Sequence, residues 1–568
     1  MNQTLNKQRM SIMFSGNNIN TSSRGCPMFL KSIISTVLAS VFAGTMAFAT
    51  EINRNAPAGG VMNYNLEAEP ESLHPIMAGD GYAQSVHSYV FDTMCGNNIN
   101  TWELEPQIAE KWETSKDGLS FTFFLRKDAF FHNGENVTAD DVKFSLEAIR
   151  NPKHQALNLI SYFEKFKDVT IIDKYTIKFT ATEKYFKNLS TLCGMLIIPK
   201  SVYGNIDKSV KMQKEMVGSG PYKLEKYDKG QIIVLKKFDK WYGDKTPEQK
   251  GFNNFAQINF RFTKDDTIVV ERLKKGDIDY HYWAQPDGYL KAKGAQFGKT
   301  VFAKKVENKQ PKRLSFIGFN MRKDVFKDKS VRLAFAHLVN RAEMNKKFFD
   351  GMSLLATSPV YVKSDQAPDV KPIDFNPKKA KELLSAAGWK DEEKNGILQK
   401  TINGKKVQLK FTWIYARKES EKWWTTVKED VKKAGIELDL KYLEWNSFVK
   451  TIDDGTFDMI SMAWGGGDVE SDPKQIWHSE SIGKGGSNYI GYSNKEADKL
   501  IDEARGELDP QKRTAVFKKV YKIIADDVPY VFLFNPRYET YAHTNKVKLP
   551  GDTFNYDIGF HAWSAAEK

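Results

Sequence analysis

The sequence predicts an α/β protein built from several domains, and three observations carry that expectation. At 568 residues the chain is too long to fold around one hydrophobic core. Runs that alternate with period two, such as Phe121, Phe123 and Leu125, recur among runs with helical spacing, such as Val142, Leu146 and Ile149. Turn dipeptides and helix caps separate the two kinds of run along the whole chain. The composition agrees: 41% hydrophobic and 27% charged residues are ordinary for a soluble globular protein.

The first 49 residues read as a leader. Ile33 to Phe48 is small and apolar, Lys31 precedes it, and Ala47-Phe48-Ala49 is an A-x-A cleavage site. The apolar run is too short to serve well as a membrane span. Residues 1–27 are polar, so Met28 is an alternative start. No lipobox precedes Cys26. The leader holds Lys7, Arg9, Arg24 and Lys31 and no acid. Removing it takes the chain from a net +13 to 80 basic against 71 acidic residues, or +9. Those charges are mixed along the length, without the focused basic stripe that nucleic acid requires. Export into an oxidising space leaves Cys95 and Cys193 either bridged or separately buried.

The elements follow in order. Gly59 to Leu66 is a strand, and Glu67 to Pro75 a loop. Pro106 to Ile149 reads as strand, turn at Asp117-Gly118, strand, turn at Asn133-Gly134, then a helix opened by Thr138 with Asp141. Gly218-Ser219-Gly220-Pro221 precedes a hairpin. Its glycines are expected at positive φ. A phosphate loop is rejected there, because no Lys-Ser/Thr follows and strands come next. Asp277 and Asp279 read as turn caps. Ile317 to Arg322 is a strand, and Ser330 to Arg341 a helix with Val331, Phe335 and Leu338 inward. Asn376-Pro377 starts a helix that Gly388 ends. Asp509-Pro510 opens the last helix, with Val516, Val520 and Ile523 on its apolar face.

The segment 106–149 closely resembles the signature of extracellular solute-binding proteins of the peptide/nickel family, the capture subunits of bacterial ABC importers. The turn dipeptides, the Trp112-Glu113 pair and the helix start all match. Further similarities, at Gly218–Tyr222, Glu271–Asp279 and Phe326–Arg341, extend over residues 60 to 560. The resemblance implies a two-lobed periplasmic binding protein of class II, cluster C type. It would have an extra α/β domain and a ligand cleft between the lobes. One lobe would take residues 50–95, 217–312 and 535–568, the extra domain 96–216 and the other lobe 313–534. Crossings near 313 and 535 favour hinge closure. The protein is then expected to be periplasmic and monomeric, to bind oligopeptides or peptide-like compounds, and to present them to an ABC permease. Nickel, haem or a sugar would be alternative cargo.

No catalytic constellation is present: there is no H-E-x-x-H, G-x-S-x-G, Walker A or C-x-x-C. The nine histidines show no i,i+4 metal spacing. An enzyme is therefore not expected, nor a cofactor or metal; an exported hydrolase is the reading kept from another class. For the ligand, the resemblance points to the first strand and its loop: Asn63, Asn65, Leu66, Glu67 and Ala68. An extended peptide would add its backbone there as a strand. It also points to Trp464, Gly465 and Asp468. In peptide binders a Trp lines the cleft, and an Asp accepts the ligand's ammonium. Three glycines separate Trp464 from Asp468 here, where two residues are usual, so Asp472 competes for that role. Asn488 is open between a ligand contact and a loop tie. Arg417 is a candidate for a ligand carboxylate.

Overall fold

The computed structural model describes residues 50–78, 80–154, 156–283, 286–483 and 486–567. The leader, the alternative start and Cys26 lie outside these residues. Among the described residues no helix is long and apolar enough to cross a membrane.

Three sheets organise the chain. The first has seven strands, in the order Val301–Val306, Glu539–Thr544, Tyr280–Trp283, Val61–Leu66, Gln257–Phe262, Ile232–Lys237 and Tyr222–Asp228. The second has six, in the order Ser353–Leu355, Tyr530–Pro536, Leu314–Phe319, Met459–Trp464, Lys410–Tyr415 and Glu437–Tyr442. A third has four, Ala109–Thr114, Ser120–Leu125, Thr176–Thr180 and Asp168–Asp173. This is the expected two-lobed α/β fold with an added α/β element.

The six-stranded sheet shows how period two builds a lobe. Side chains alternate across a strand. Ile317 and Phe319 therefore enter one core, while Leu314 and Phe316 enter the core on the opposite face. The partner strands obey the same rule: Met459 faces the first core and Ile460 the second. Helices cover both faces, so these strands read as near-continuous apolar runs.

Two stretches of chain cross between the large sheets, and they are tied to each other. The buried Lys312 ammonium pairs with Glu539 at 2.7 Å. It also donates to the Asn308 side-chain oxygen at 2.5 Å and to the Gln310 carbonyl at 2.8 Å. Asn535, fully buried, donates to the Arg313 carbonyl at 2.9 Å. Burial pulls the Lys312 pKa below its usual range, against the opposing pull of Glu539.

Several local expectations hold. Gly118 and Gly134 turn at φ +70° and +90°. Asp141 accepts from both the N–H and the hydroxyl of Thr138 at the start of the helix Ala139–Arg150. Asn376 caps the helix Pro377–Ala386, and Gly388 follows it at φ +86°. Cys95 and Cys193 form a disulfide with 4.7 Å between their Cα atoms.

Others are corrected. Gly218 and Gly220 do not adopt positive φ. They are needed for close approach, since a Cβ on Gly218 would lie 2.0 Å from the Val90 carbonyl oxygen. The helix expected over 330–341 stops at His337, and Asn340 caps a new helix, Arg341–Phe349. The last helix, Pro510–Asp527, is rotated: it buries Phe517, Val520, Tyr521 and Ile524, with Val516 and Ile523 at the margin. Its large aromatic residues take the deep positions.

Candidate functional site

A cavity of about 310 Å3 opens where the six-stranded sheet meets the crossings. Its floor comes from the ends of three strands: Arg313 and Ser315, then Ser461 to Ala463, then Leu533, Phe534 and Pro536. Its walls are helical. Ser420 donates its hydroxyl to the Arg417 carbonyl and accepts from the Trp424 indole N–H at 2.8 Å. That fixes the start of the helix Glu421–Lys432. Trp424, Val427 and Val431 are buried in the core, and both Trp424 and the half-buried Trp423, one position earlier, line the cavity. Glu444 caps the next helix, Trp445–Asp453, by accepting from Asn446. Phe448 and Ile452 are buried there. Trp445 stacks on Phe448 with 6.0 Å between ring centroids, yet is 56% exposed at the cavity wall.

Pro286 is the one lining residue from the other large-sheet region. A neighbouring cavity of about 250 Å3 shares Pro286, Arg313 and Pro536 and adds Tyr282, Trp283, Lys312 and Glu539. Together they run from the second sheet past the crossings to the first. Among the described residues, the charged ones lining the larger cavity are Arg313 and Arg417. The Trp423 indole N–H and the Ser461 hydroxyl, both buried at its wall, have no hydrogen-bond partner among the described residues. Unsatisfied buried donors are rare and mark places where a ligand group or water completes the bonding. Aromatic walls with a few fixed donors and a guanidinium suit an apolar side chain attached to carbonyl and carboxylate groups.

The residues expected from sequence fare unequally. Asn63 is consumed by the fold. Its backbone N–H and its side-chain amide both donate to Asp279, and its oxygen accepts from Asn259. Asn65 is buried, donating to the Thr263 carbonyl at 3.0 Å, with the His281 ring at 3.2 Å. Leu66 belongs to the core. Their strand pairs in parallel with Gln257–Phe262 on one side and with Tyr280 on the other. The strand lies inside the sheet, with a full ladder on one side and one pair on the other, which disfavours strand addition to it. Ala68 is half-buried in the loop beyond.

Glu67, just past that strand, is half-buried and lines neither of these cavities. Burial raises its carboxyl pKa, and nearby Asp266 adds to the rise. Arg417, Lys264 and Arg313 oppose it. Glu67 and Arg417, 350 positions apart in sequence, thus share one electrostatic neighbourhood. Arg417 also lies 3.7 Å from Glu419 and 5.7 Å from the Trp423 ring centroid.

Trp464 is sandwiched between Phe316 and Tyr489, with centroids 5.9 Å away on each side. It does not line the cavity, whose wall takes Ser461 to Ala463 just before it. Gly465 is exposed at the strand end. Asp468 is 61% exposed and pairs with Lys187 at 2.5 Å. Asp472 accepts from the Tyr185 hydroxyl at 2.8 Å and from Arg505 at 2.9 Å. Asn488 is 1% exposed and makes three bonds, to the His478 carbonyl and to the Tyr492 carbonyl and N–H. Of its two readings, the loop tie is the one present.

The residues missed by sequence reading are Trp423, Trp445, Arg313, Ser461 and Phe534. The adjacent tryptophans on a short amphipathic helix were a signal of sorts: a helix buries one face, so two consecutive large apolar residues cannot both enter the same core.

Comparison with known proteins places this geometry. The family model for bacterial extracellular solute-binding proteins, family 5, middle region, matches residues 103–486. The oligopeptide-binding protein AppA of Bacillus subtilis is 28% identical over 495 residues, 84% of this chain and 86% of that protein. Its structure in complex with a nonapeptide superimposes with a TM-score of 0.72 at 26% identity, covering 90% of this chain and all of that one. The dipeptide-binding protein of Escherichia coli is 25% identical, over 89% of this chain and 91% of its own length. Heme-binding protein A of Haemophilus influenzae is also 25% identical, over 81% and 84%.

Proposed function

The chain belongs to the bacterial extracellular solute-binding proteins of family 5, and from that premise we propose that it captures oligopeptides or peptide-like compounds in the periplasm for an ABC permease. It acts as a monomer, without catalysis, after its leader is removed at Ala49. Residues 50–95, 217–312 and 535–568 form one lobe, 313–534 the other, and 96–216 the extra domain. Each of the three large sheets draws its strands from one of these sets, which supports the division.

The observation that carries the reading is the aromatic cavity at the crossings, with Arg313 and Arg417 on it and two unsatisfied donors in its wall. An apolar side chain of the ligand enters between Trp423 and Trp445. Its carbonyl groups meet the orphan donors, and its negative end lies on the arginine side. Closure about the paired crossings then removes water and strengthens every polar contact.

Native mass spectrometry on protein recovered from its own periplasm tests this directly. Co-purifying peptides are expected, along with an N-terminus at Thr50. A bound metal or tetrapyrrole instead of peptides overturns the cargo. Peptides cleaved on incubation overturn the non-catalytic role.

A further inference from the structure

A second, larger cavity of about 520 Å3 shares no lining residue with the one at the crossings. It lies between the helix Gly81–Val90, the short strands Cys95–Asn97 and Leu104–Pro106, and the segment after Cys193. Gln84, Ser88 and Asn97 stand exposed at its mouth. The disulfide staples its wall: Gly96 and Gly194, the neighbours of the two half-cystines, both line it. A cavity held open by a covalent bond at a junction of elements is pre-formed in the way ligand sites are.

Its charge is one-sided. Asp92 and Glu105 line it, and no lysine or arginine does. Its histidines, His87 and His561, are uncharged at neutral pH, because burial pushes both pKa values down to about 4. Asp92 is 7% exposed, and its carboxylate accepts from the Trp241 indole N–H at 3.2 Å and lies beside the Tyr242 hydroxyl. The cations nearest to it are engaged elsewhere. Arg126 pairs with Asp128 at 2.8 Å and lies over the Tyr242 ring, and Lys237 pairs with Asp244 at 2.9 Å. Glu105 accepts from the Asn98 amide at 2.6 Å. A buried carboxylate faced by neutral donors, with no cation paired to it, is under-compensated. Phe91, Trp241 and Phe252 supply apolar surface beside it.

We propose that this cavity is a second ligand site that takes a small primary ammonium compound, its charged head on Asp92 and its hydrocarbon part against Phe91, Trp241 and Phe252. Binding is coupled to protons. Burial holds the Asp92 carboxyl up to about 7, only partly offset by the Trp241 N–H, the Tyr242 hydroxyl and the more distant Arg126 and Lys237. The ammonium group must therefore displace a proton below that pH.

Benzylamine is the probe, with benzyl alcohol as its neutral counterpart, titrated calorimetrically into the intact mature chain. At pH 8 benzylamine binds at least tenfold more tightly than the alcohol. Its affinity drops about tenfold at pH 6, following the ionised fraction of Asp92. Asp92→Asn abolishes both the preference and the pH dependence. Ser88→Trp, which plugs the mouth without touching the carboxylate, weakens benzylamine at least tenfold and carries the test should the Asp92 variant not fold. Trp423→Ala, in the other cavity, leaves benzylamine unchanged. No benzylamine binding, equal affinity for amine and alcohol, amine binding that survives Ser88→Trp, or loss in Trp423→Ala overturns the proposal.

Discussion

Asp279 is 1% exposed and holds three strands at once. It accepts from the Asn63 backbone N–H at 3.1 Å, the Asn63 amide at 2.7 Å and the Thr544 hydroxyl at 2.9 Å. Removing it orphans three donors around a buried site. Asp279→Ala is expected to cost about 3 kcal/mol, read as a lower urea midpoint at unchanged slope. Asp279→Asn, which keeps one acceptor, should recover part of that. A silent Asp279→Ala would show that Asn63 is not held by the fold. Asp92 behaves differently. Its folded pKa, about 7, lies above the ordinary 3.8, so the folded chain holds this proton more tightly than the unfolded chain. The associated stability is present below about pH 4 and is lost as pH rises through 7. At 1.36 kcal/mol per pH unit the loss reaches up to about 4 kcal/mol. Asp92→Asn should therefore gain on the wild type between pH 4 and pH 8. A stability difference that does not change with pH contradicts this.

Among the elements, local chemistry was legible and orientation was not. Asp117-Gly118, Asn376-Pro377 and Gly388 each carry a conformational preference strong enough to act without help from distant residues. Gly218 and Gly220 looked like the same kind of signal. Their reason proved tertiary, because the backbone at Val90 approaches too closely for any side chain. Gly220→Ala, whose Cβ would lie 2.7 Å from the Val90 carbonyl carbon, is expected to destabilise by about 1–3 kcal/mol or more. Thermal unfolding measures it, and a neutral result would mean that the contact relaxes freely. The helix Pro510–Asp527 teaches the same point. Its composition allowed two adjacent apolar stripes, and the cores around it selected Phe517 and Tyr521. At the cavity, Trp445→Ala removes an exposed ring and so should spare stability while weakening peptide binding about tenfold. Calorimetry with a co-purified peptide checks this, and unchanged affinity would move the ligand away from that wall.

Across the whole molecule, the region that carries the four-stranded sheet is fastened on two sides. The disulfide closes a separation of 98 residues, and its removal in the Cys95→Ala/Cys193→Ala double variant should cost about 2–5 kcal/mol. Denaturation with and without reductant reads it; no effect would make the bridge dispensable. On the other side, Tyr185 to Lys187 reach the 313–534 region. The Phe186 N–H donates to the Arg505 carbonyl at 3.0 Å, and its ring packs 5.7 Å from that of Phe517. Lys187 pairs with Asp468 beside it. Asp468 is therefore expected to tie these two segments rather than to meet a ligand amine, and its Asp468→Ala variant should weaken free-amine and amine-blocked peptides alike. A selective loss for free amines would restore the ammonium role.

The sequence by itself determined the family, the two-lobed α/β plan and most turns and caps, because period, cap and turn preferences act over a few residues. The segment 106–149 announced the family while adding no residue to the walls of the cavity at the crossings. What only the tertiary structure decided was the site. Glu67 and Arg417, and Pro286 and Trp423, come together only once the chain has crossed between sheets, and Asp92 and Gly194 only when distant segments of one region pack. It also decided that Asn63 and Asn65 face strand partners rather than ligand. A side chain's role depends on which donors and charges surround it, and those come from residues hundreds of positions away.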